Sequence, residues 1–134
     1  MYDTIIIGAG PAGLTAAIYL IRKKINIIVL TDKIGGQIMD GPLIENYPAI
    51  AKITGPEWIQ KTQKQAEGLG AEIKSGVEVK RIERVSDSFR VRTANDQEFE
   101  ARSILICSGK SPRKLGITGE AQFQGKGISQ CVTC

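Results

Sequence analysis

Two groups of residues in this chain have the types and spacing for chemistry, and they stand at opposite ends of it. Near the start, Gly8-Ala9-Gly10-Pro11-Ala12-Gly13 places glycines in the pattern G-x-G-x-x-G. In that pattern Gly8 permits a tight turn, Gly10 lets backbone approach phosphates, and Gly13 lets a helix pack close against a strand. Pro11 sits where a first-turn proline belongs, because the amide hydrogen it lacks has no partner inside a helix. The freed amides and the positive helix end then face an anion, here the pyrophosphate of a dinucleotide. A bare G-x-G-x-x-G also marks ordinary turns. The apolar run Ile5-Ile6-Ile7 before it and the small-residue helix after it favour the dinucleotide reading.

At the far end, Cys131 and Cys134 form C-x-x-C, the shortest common spacing for a reversible disulfide. One turn brings the sulfurs together and lowers one thiol's pKa for attack. The alternative is half of a zinc site. Zinc needs two more ligands, and the chain offers one further cysteine, Cys107, and no histidine, so no metal is expected. Cys107 lies in an apolar stretch and reads as a small buried hydrophobe. A disulfide accepts two electrons, and a flavin passes two electrons between a nicotinamide and a dithiol. A cysteine pair on a dinucleotide-binding scaffold therefore points to redox work.

The elements that must position these residues follow from the pattern of apolar positions. Residues 3–8 read as a first strand, 11–23 as a helix and 25–30 as a second strand, together one βαβ unit. The second strand is nearly continuous in apolar residues, as expected when both faces of a parallel sheet are covered. An acidic residue near its end often holds the ribose, and either Thr31, where the strand ends, or Asp32 next to it could serve. The segment 32–55 is long for a loop in a compact domain and carries no low-complexity bias, which favours a functional role. A helix starts at Gly55-Pro56-Glu57 and runs to about Leu69, where Gly70 stops it, with Trp58 on its core face rather than stacking on a ligand. From Ala71 to Ala101 the period is two, which predicts a small antiparallel meander with one wet face. Residues 102–107 return as a buried strand. It ends in Ser108-Gly109-Lys110-Ser111-Pro112, a polar turn at a carboxyl strand end, where ligands of α/β sheets gather.

The totals bound the rest. At 134 residues, with 42% hydrophobic and 24% charged residues, the composition is that of one soluble globular domain. A net charge of +4 from scattered Lys and Arg, with few aromatics, gives no support for nucleic-acid binding. No apolar run approaches a membrane span, and the N-terminus shows no signal-peptide pattern, so a reducing, cytoplasmic setting is expected.

Taken together, Gly8-x-Gly10-Pro-Ala-Gly13, Gly35-Gly36-Gln37, Glu45-Asn46-Tyr47-Pro48, Ser108-Gly109 with Pro112-Arg113, and Cys131-Val-Thr-Cys134 occur in an order that resembles the low-molecular-weight, bacterial-type thioredoxin reductases. The resemblance implies an α/β, Rossmann-like FAD-binding domain, a parallel sheet with helices plus a small antiparallel β-meander. It implies that Gly8, Gly10, Pro11, Ala12 and Gly13 hold FAD, with further contacts at Thr31, Asp32, Gly36, Gln37, Asn46, Val79, Ser108 and Gly109. It also implies that NADPH, or NADH, binds in another domain and that Cys134 faces the flavin. Cys131 would attack the disulfide of a thioredoxin-like partner, in a homodimer.

The chain departs from the family pattern in three places. Ser108 stands where the family usually has threonine, and Ala49 where it usually has glycine. The third departure is length. Residues 1–115 would be the N-terminal part of a discontinuous FAD domain, and 116–134 a linker and the start of the NAD(P)H domain carrying C-x-x-C. The sheet is then incomplete relative to the full family fold and should expose an apolar edge. The 134 residues alone are expected not to use NADPH, and to hold FAD more weakly. The reading from another class is a non-catalytic, truncated flavin-binding or assembly module.

Overall fold

The computed structural model describes residues 1–41, 43–111 and 113–129. The first apolar run becomes β1 (Tyr2–Ala9), between β2 (Ile27–Ile34) and β6 (Glu98–Ile106). Outside β2 lies β3 (Glu72–Lys74). Beyond β6 come β5 (Ser88–Thr93) and β4 (Val79–Val85), so the six-stranded sheet has the order β3-β2-β1-β6-β5-β4. β1 pairs in parallel with β2 and β6, and β2 with β3, whereas β4, β5 and β6 pair antiparallel. α1 (Pro11–Arg22) links β1 to β2, and α2 (Gly55–Gly68) precedes β3. A 3-10 helix spans Gly36–Asp40, and one helical turn, α3, spans Glu120–Phe123. The α/β, Rossmann-like class with an antiparallel extension is the architecture expected from the sequence.

Successive strand residues point to opposite faces, and here both faces are filled. Ile6, Ile27 and Val29 pack under Leu14 and Ala17 of α1 and under Trp58, Ile59 and Ala66 of α2. Ile5, Ile28 and Leu30 point the other way and meet Val77, Val91 of β5 and Ala101 of β6. The antiparallel strands thus curl back over the face that the helices leave open, which is why β1 and β2 carry unbroken apolar runs. Trp58 is buried in the helix-side core and meets Tyr47 edge-on, with ring centroids 5.8 Å apart.

Four sequence expectations are revised. The second strand does not end at Thr31. It starts at Ile27, because Ile25 closes the end of α1, and runs on to Ile34, because backbone pairing continues past the apolar residues. Ala9 stands opposite Ile34 after a bulge, and the N–H groups of Gly76 and Val77 donate to the carbonyls of Asp32 and Thr31 at 3.0 and 2.9 Å. The period-two stretch is not one meander either. β3 follows a crossover helix and pairs in parallel with β2, so only β4, β5 and β6 form the antiparallel part.

Residues 98–106 form a single strand whose first half pairs with β5 and whose second half pairs with β1. That second half is not buried, because β5 leaves its side after Ala101. Leu105 and Ile106 are 38% and 64% exposed, an apolar edge of the kind expected. The segment 32–55, finally, is not a plain loop. It holds the 3-10 helix and an Ile44–Ile53 bridge. Its tight turn at Tyr47–Ile50 puts Ala49 at φ 67, where the family's glycine would sit without strain.

Candidate functional site

The carboxyl ends of β1, β2 and β6 open into a cleft of about 1660 Å³. Gly8, Thr31, Asp32, Gly36, Gln37, Val79 and Ser108 all line it. An adjoining cleft of about 370 Å³ is lined by Gly8, Gly10, Pro11 and Ala12 of the glycine loop, by Gly36 and Gln37 after β2, and by Ser108 and Gly109 after β6. Residues from four separate stretches of sequence therefore converge at one end of the sheet.

The glycine loop is tight at two of its three glycines and open at the third. A Cβ on Gly8 would overlap the carbonyl oxygen of Cys107, just past the end of β6. A Cβ on Gly13 would overlap the carbonyl oxygen of Gly8. Gly13 lines neither cleft. It lies buried beneath the loop and sets how closely α1 approaches β1. Gly10 differs. Its φ of −83 and ψ of −172 suit any residue, and the nearest atom to an added Cβ is the Gly35 carbonyl oxygen at an ordinary 3.6 Å. Among the described residues, neither conformation nor packing requires glycine at position 10.

Gly10 is also the N-cap of α1, and no side chain caps that helix. The Leu14 N–H donates to the Gly10 carbonyl at 3.0 Å, and the amides before it lie at the open end of the helix, on the smaller cleft. Uncapped amides at a helix N-terminus suit an anion. The Gly35 N–H donates to the Ala9 carbonyl at 2.9 Å, stitching the Gly35-Gly36-Gln37 turn to the glycine loop.

Residues 2–134 match the pyridine nucleotide-disulphide oxidoreductase family. The chain belongs to that family. The thioredoxin reductase of Bacillus subtilis (strain 168) is 39% identical over 137 residues, which cover 100% of this chain and 42% of the relative. That of Rickettsia bellii (strain RML369-C) is 41% identical over 132 residues, 97% of this chain and 42% of the relative. The crystal structure of Lactococcus lactis thioredoxin reductase matches with a TM-score of 0.86 at 41% identity, covering 100% of this chain and 44% of that one. The chain thus spans 42% of the length of these curated relatives.

In this chain the two candidates for the ribose contact are placed differently. Thr31 is buried, and its hydroxyl donates to the Lys33 carbonyl at 2.6 Å. Asp32 is exposed in the main cleft. Asn46 is exposed and lines neither cleft. Cys131 and Cys134 lie outside the described residues. Cys107 is half-buried just past β6 and lines the smaller cleft, and burial pushes its thiol up from the ordinary cysteine range, away from nucleophilic use.

Sequence reasoning missed Met39, Asp40 and Glu78, which also line the main cleft, as does Lys110 of the polar turn after β6. Met39 and Asp40 follow Gln37 on the 3-10 helix and could have been found from it. Glu78 reaches the cleft only because β2 extends alongside residues 76–77. Past the cleft, Glu120 of α3 accepts from the N–H groups of Leu115 and Gly116 at 2.8 and 2.9 Å, bonds that hold its carboxyl below the usual range. Among the described residues, no cluster of His, Cys, Asp or Glu is placed to hold a metal, and no helix is long and apolar enough to cross a membrane.

Proposed function

We propose that this chain binds FAD across the carboxyl ends of β1, β2 and β6 and works in a thioredoxin-reductase-like thiol–disulfide oxidoreductase. Electrons would pass from NAD(P)H through FAD and the Cys131/Cys134 pair to a protein disulfide on a thioredoxin-like partner. The observation that carries the reading is Gly10, a helix cap with no side chain, no conformational demand and no steric demand of its own. The cleft's residues fit the cofactor. The uncapped amides at the start of α1 hold the pyrophosphate, with Pro11 and Ala12 forming the wall beside it. Asp32 accepts from the ribose hydroxyls, since the Thr31 hydroxyl is already engaged. Gly36 and Gln37 lie along the ligand, Val79 sits beside it, and Ser108-Gly109 close the opposite wall.

When bound, the flavin supplies two-electron transfer between a nicotinamide and a dithiol. The reduced cysteine pair then gives its two electrons to the partner. The Cys131 thiolate attacks one partner sulfur and releases the other as a thiol, and Cys134 resolves the mixed disulfide. Residues 1–115 would supply the first part of the FAD domain and 116–134 the start of the NAD(P)H domain. A cytoplasmic homodimer is the setting we propose for it.

Gly10→Asp tests the reading. A carboxylate at the cap satisfies the first amides, so thermal stability should hold or rise. The same carboxylate stands where a pyrophosphate would lie, and like charges brought together should weaken FAD binding by about a hundredfold or more. Flavin titration alongside a thermal melt reads both. FAD affinity unchanged in Gly10→Asp, or no FAD binding by the wild type, would overturn the proposal. Flavin retention without NADPH-dependent disulfide reduction would favour the non-catalytic flavin-binding or assembly module.

A further inference from the structure

Gly55 opens α2 and is buried, yet its backbone is not left-handed. Conformation does not demand a glycine there. Space does: an added Cβ would overlap the Ile38 carbonyl oxygen and stand 2.7 Å from the Ile38 carbonyl carbon. Ile38 is the central residue of the 3-10 helix, whose other residues line the main cleft, while Ile38 itself packs on the helix-side core and lines the smaller cleft. The start of α2 thus touches, backbone to backbone, the back of the segment that carries Gln37.

The two sides of that contact are not equally free. α2 is anchored by Trp58 and Ile59 in the core and by the Thr54–Glu57 cap. The 3-10 helix holds no fully buried residue, and its preceding residue, Gly35, is tied to the glycine loop through Ala9. A side chain at position 55 would therefore move the 3-10 helix rather than α2, and the open direction is the cleft. We infer that Gly55 is a positioning residue that sets Gly36 and Gln37 at their working depth along the ligand. The inference rests on the FAD reading above and adds a residue that touches no ligand.

The test compares Gly55→Ala with Gly68→Ala in the same helix, where an added Cβ meets nothing within 4 Å. Gly55→Ala should weaken FAD binding by about tenfold, the lower end of what supporting contacts around a bound group are worth. It should also alter the fluorescence of the bound flavin, while Gly68→Ala leaves both unchanged. In a Gln37→Ala background the effect of Gly55→Ala should shrink, because the two act through one segment. Full additivity, or wild-type affinity in Gly55→Ala, would overturn the inference.

Amide hydrogen exchange in the flavin-free protein separates this inference from the FAD reading. Gly55→Ala should raise exchange across residues 36–41 and leave 58–66 protected, whether or not flavin binds. Unchanged exchange across 36–41 sinks the positioning role on its own. If Gly55→Ala does not fold, Thr54→Ala loosens the start of α2 without added volume and should raise exchange in the same stretch. No rise there counts equally against it.

Discussion

Both long helices begin on Gly-Pro, yet only one closes its own N-terminus. In α2 the Thr54 hydroxyl oxygen accepts from the Glu57 N–H at 3.3 Å, and the Glu57 carboxylate accepts from the Thr54 N–H and hydroxyl at 3.1 and 2.8 Å. In α1 the cap is Gly10, which has no side chain to offer. The first amides of any helix lack partners within it. α2 meets that need from its own sequence, and α1 leaves it to whatever enters the cleft. The glycines differ in the same sense: Gly55 has no room for a side chain, and Gly10 has room that the protein does not use. The dipeptide alone therefore says little. The residue before it, Thr54 in one case and Ala9 in the other, separates a helix start that caps itself from one left open to the cleft.

The strongest way to break the comparison is to unseat α1. Gly13 presses on the Gly8 carbonyl and lies 3.4 Å, through an added Cβ, from the Ile6 side chain, so Gly13→Ala forces backbone apart. Overpacking of this kind should cost about 3 kcal/mol, read as a fall in the urea midpoint. Gly68→Ala, in open space on α2, should instead hold or raise stability, because alanine is the better helix former. If both variants shift the midpoint equally, α1 does not depend on close approach and its glycine loop is an ordinary turn.

Opening the closed helix should have a smaller effect. Thr54→Ala removes the cap of α2 and should cost about 1 kcal/mol. The cap also carries a pH signature. The Thr54 N–H and then the Thr54 hydroxyl hold the Glu57 carboxyl below the usual range. A carboxyl depressed in the folded state supports the fold above its ordinary pKa, and that support fades as pH falls through the depressed value. The advantage of wild type over Glu57→Gln in thermal melts should thus be full at neutral pH and shrink as pH falls below the ordinary carboxylate range. An advantage that persists or grows in acid would mean that the cap does not act through the carboxylate. α1 has no carboxyl at its cap and should contribute no such dependence.

The sequence was legible where side-chain type dictates structure, and opaque where backbone decides. Ile5-Ile6-Ile7 and the glycines announced β1, the turn and α1, and the rule that ligands gather at carboxyl strand ends pointed to Ser108, which lines the same cleft as Gly8 and Gly36. Asp32-Lys33 reads as the start of a loop because it is polar. It is strand because amides 76 and 77 and Ala9 supply backbone partners, which no side chain advertises. Period two put residues 72–74 into the antiparallel meander, whereas β3 pairs in parallel with β2. The contact of Gly55 with Ile38 left no trace at all, since a glycine before a proline reads as a helix start and nothing more.

The far ends of the two helices sharpen the comparison with the smallest effect. Both close with the same pair of bonds: Lys24 to Ile21 and Ile25 to Leu20 at 2.8 and 3.2 Å in α1, Gly70 to Glu67 and Ala71 to Ala66 at 2.9 and 3.0 Å in α2. This closure needs a left-handed residue, usually glycine. α2 has Gly70 at φ 101, whereas α1 places Lys24 at φ 59. Relief of that strain by Lys24→Gly is opposed by the freer unfolded chain and by loss of a cation at the negative helix end. The net gain should be about 0.5 kcal/mol, read as a small rise in the urea midpoint. Gly70→Ala has open space around it and should lose stability from backbone conformation alone. A loss on Lys24→Gly would mean that the charge at the end of α1 outweighs its strain, and that this helix relies on electrostatics at both ends.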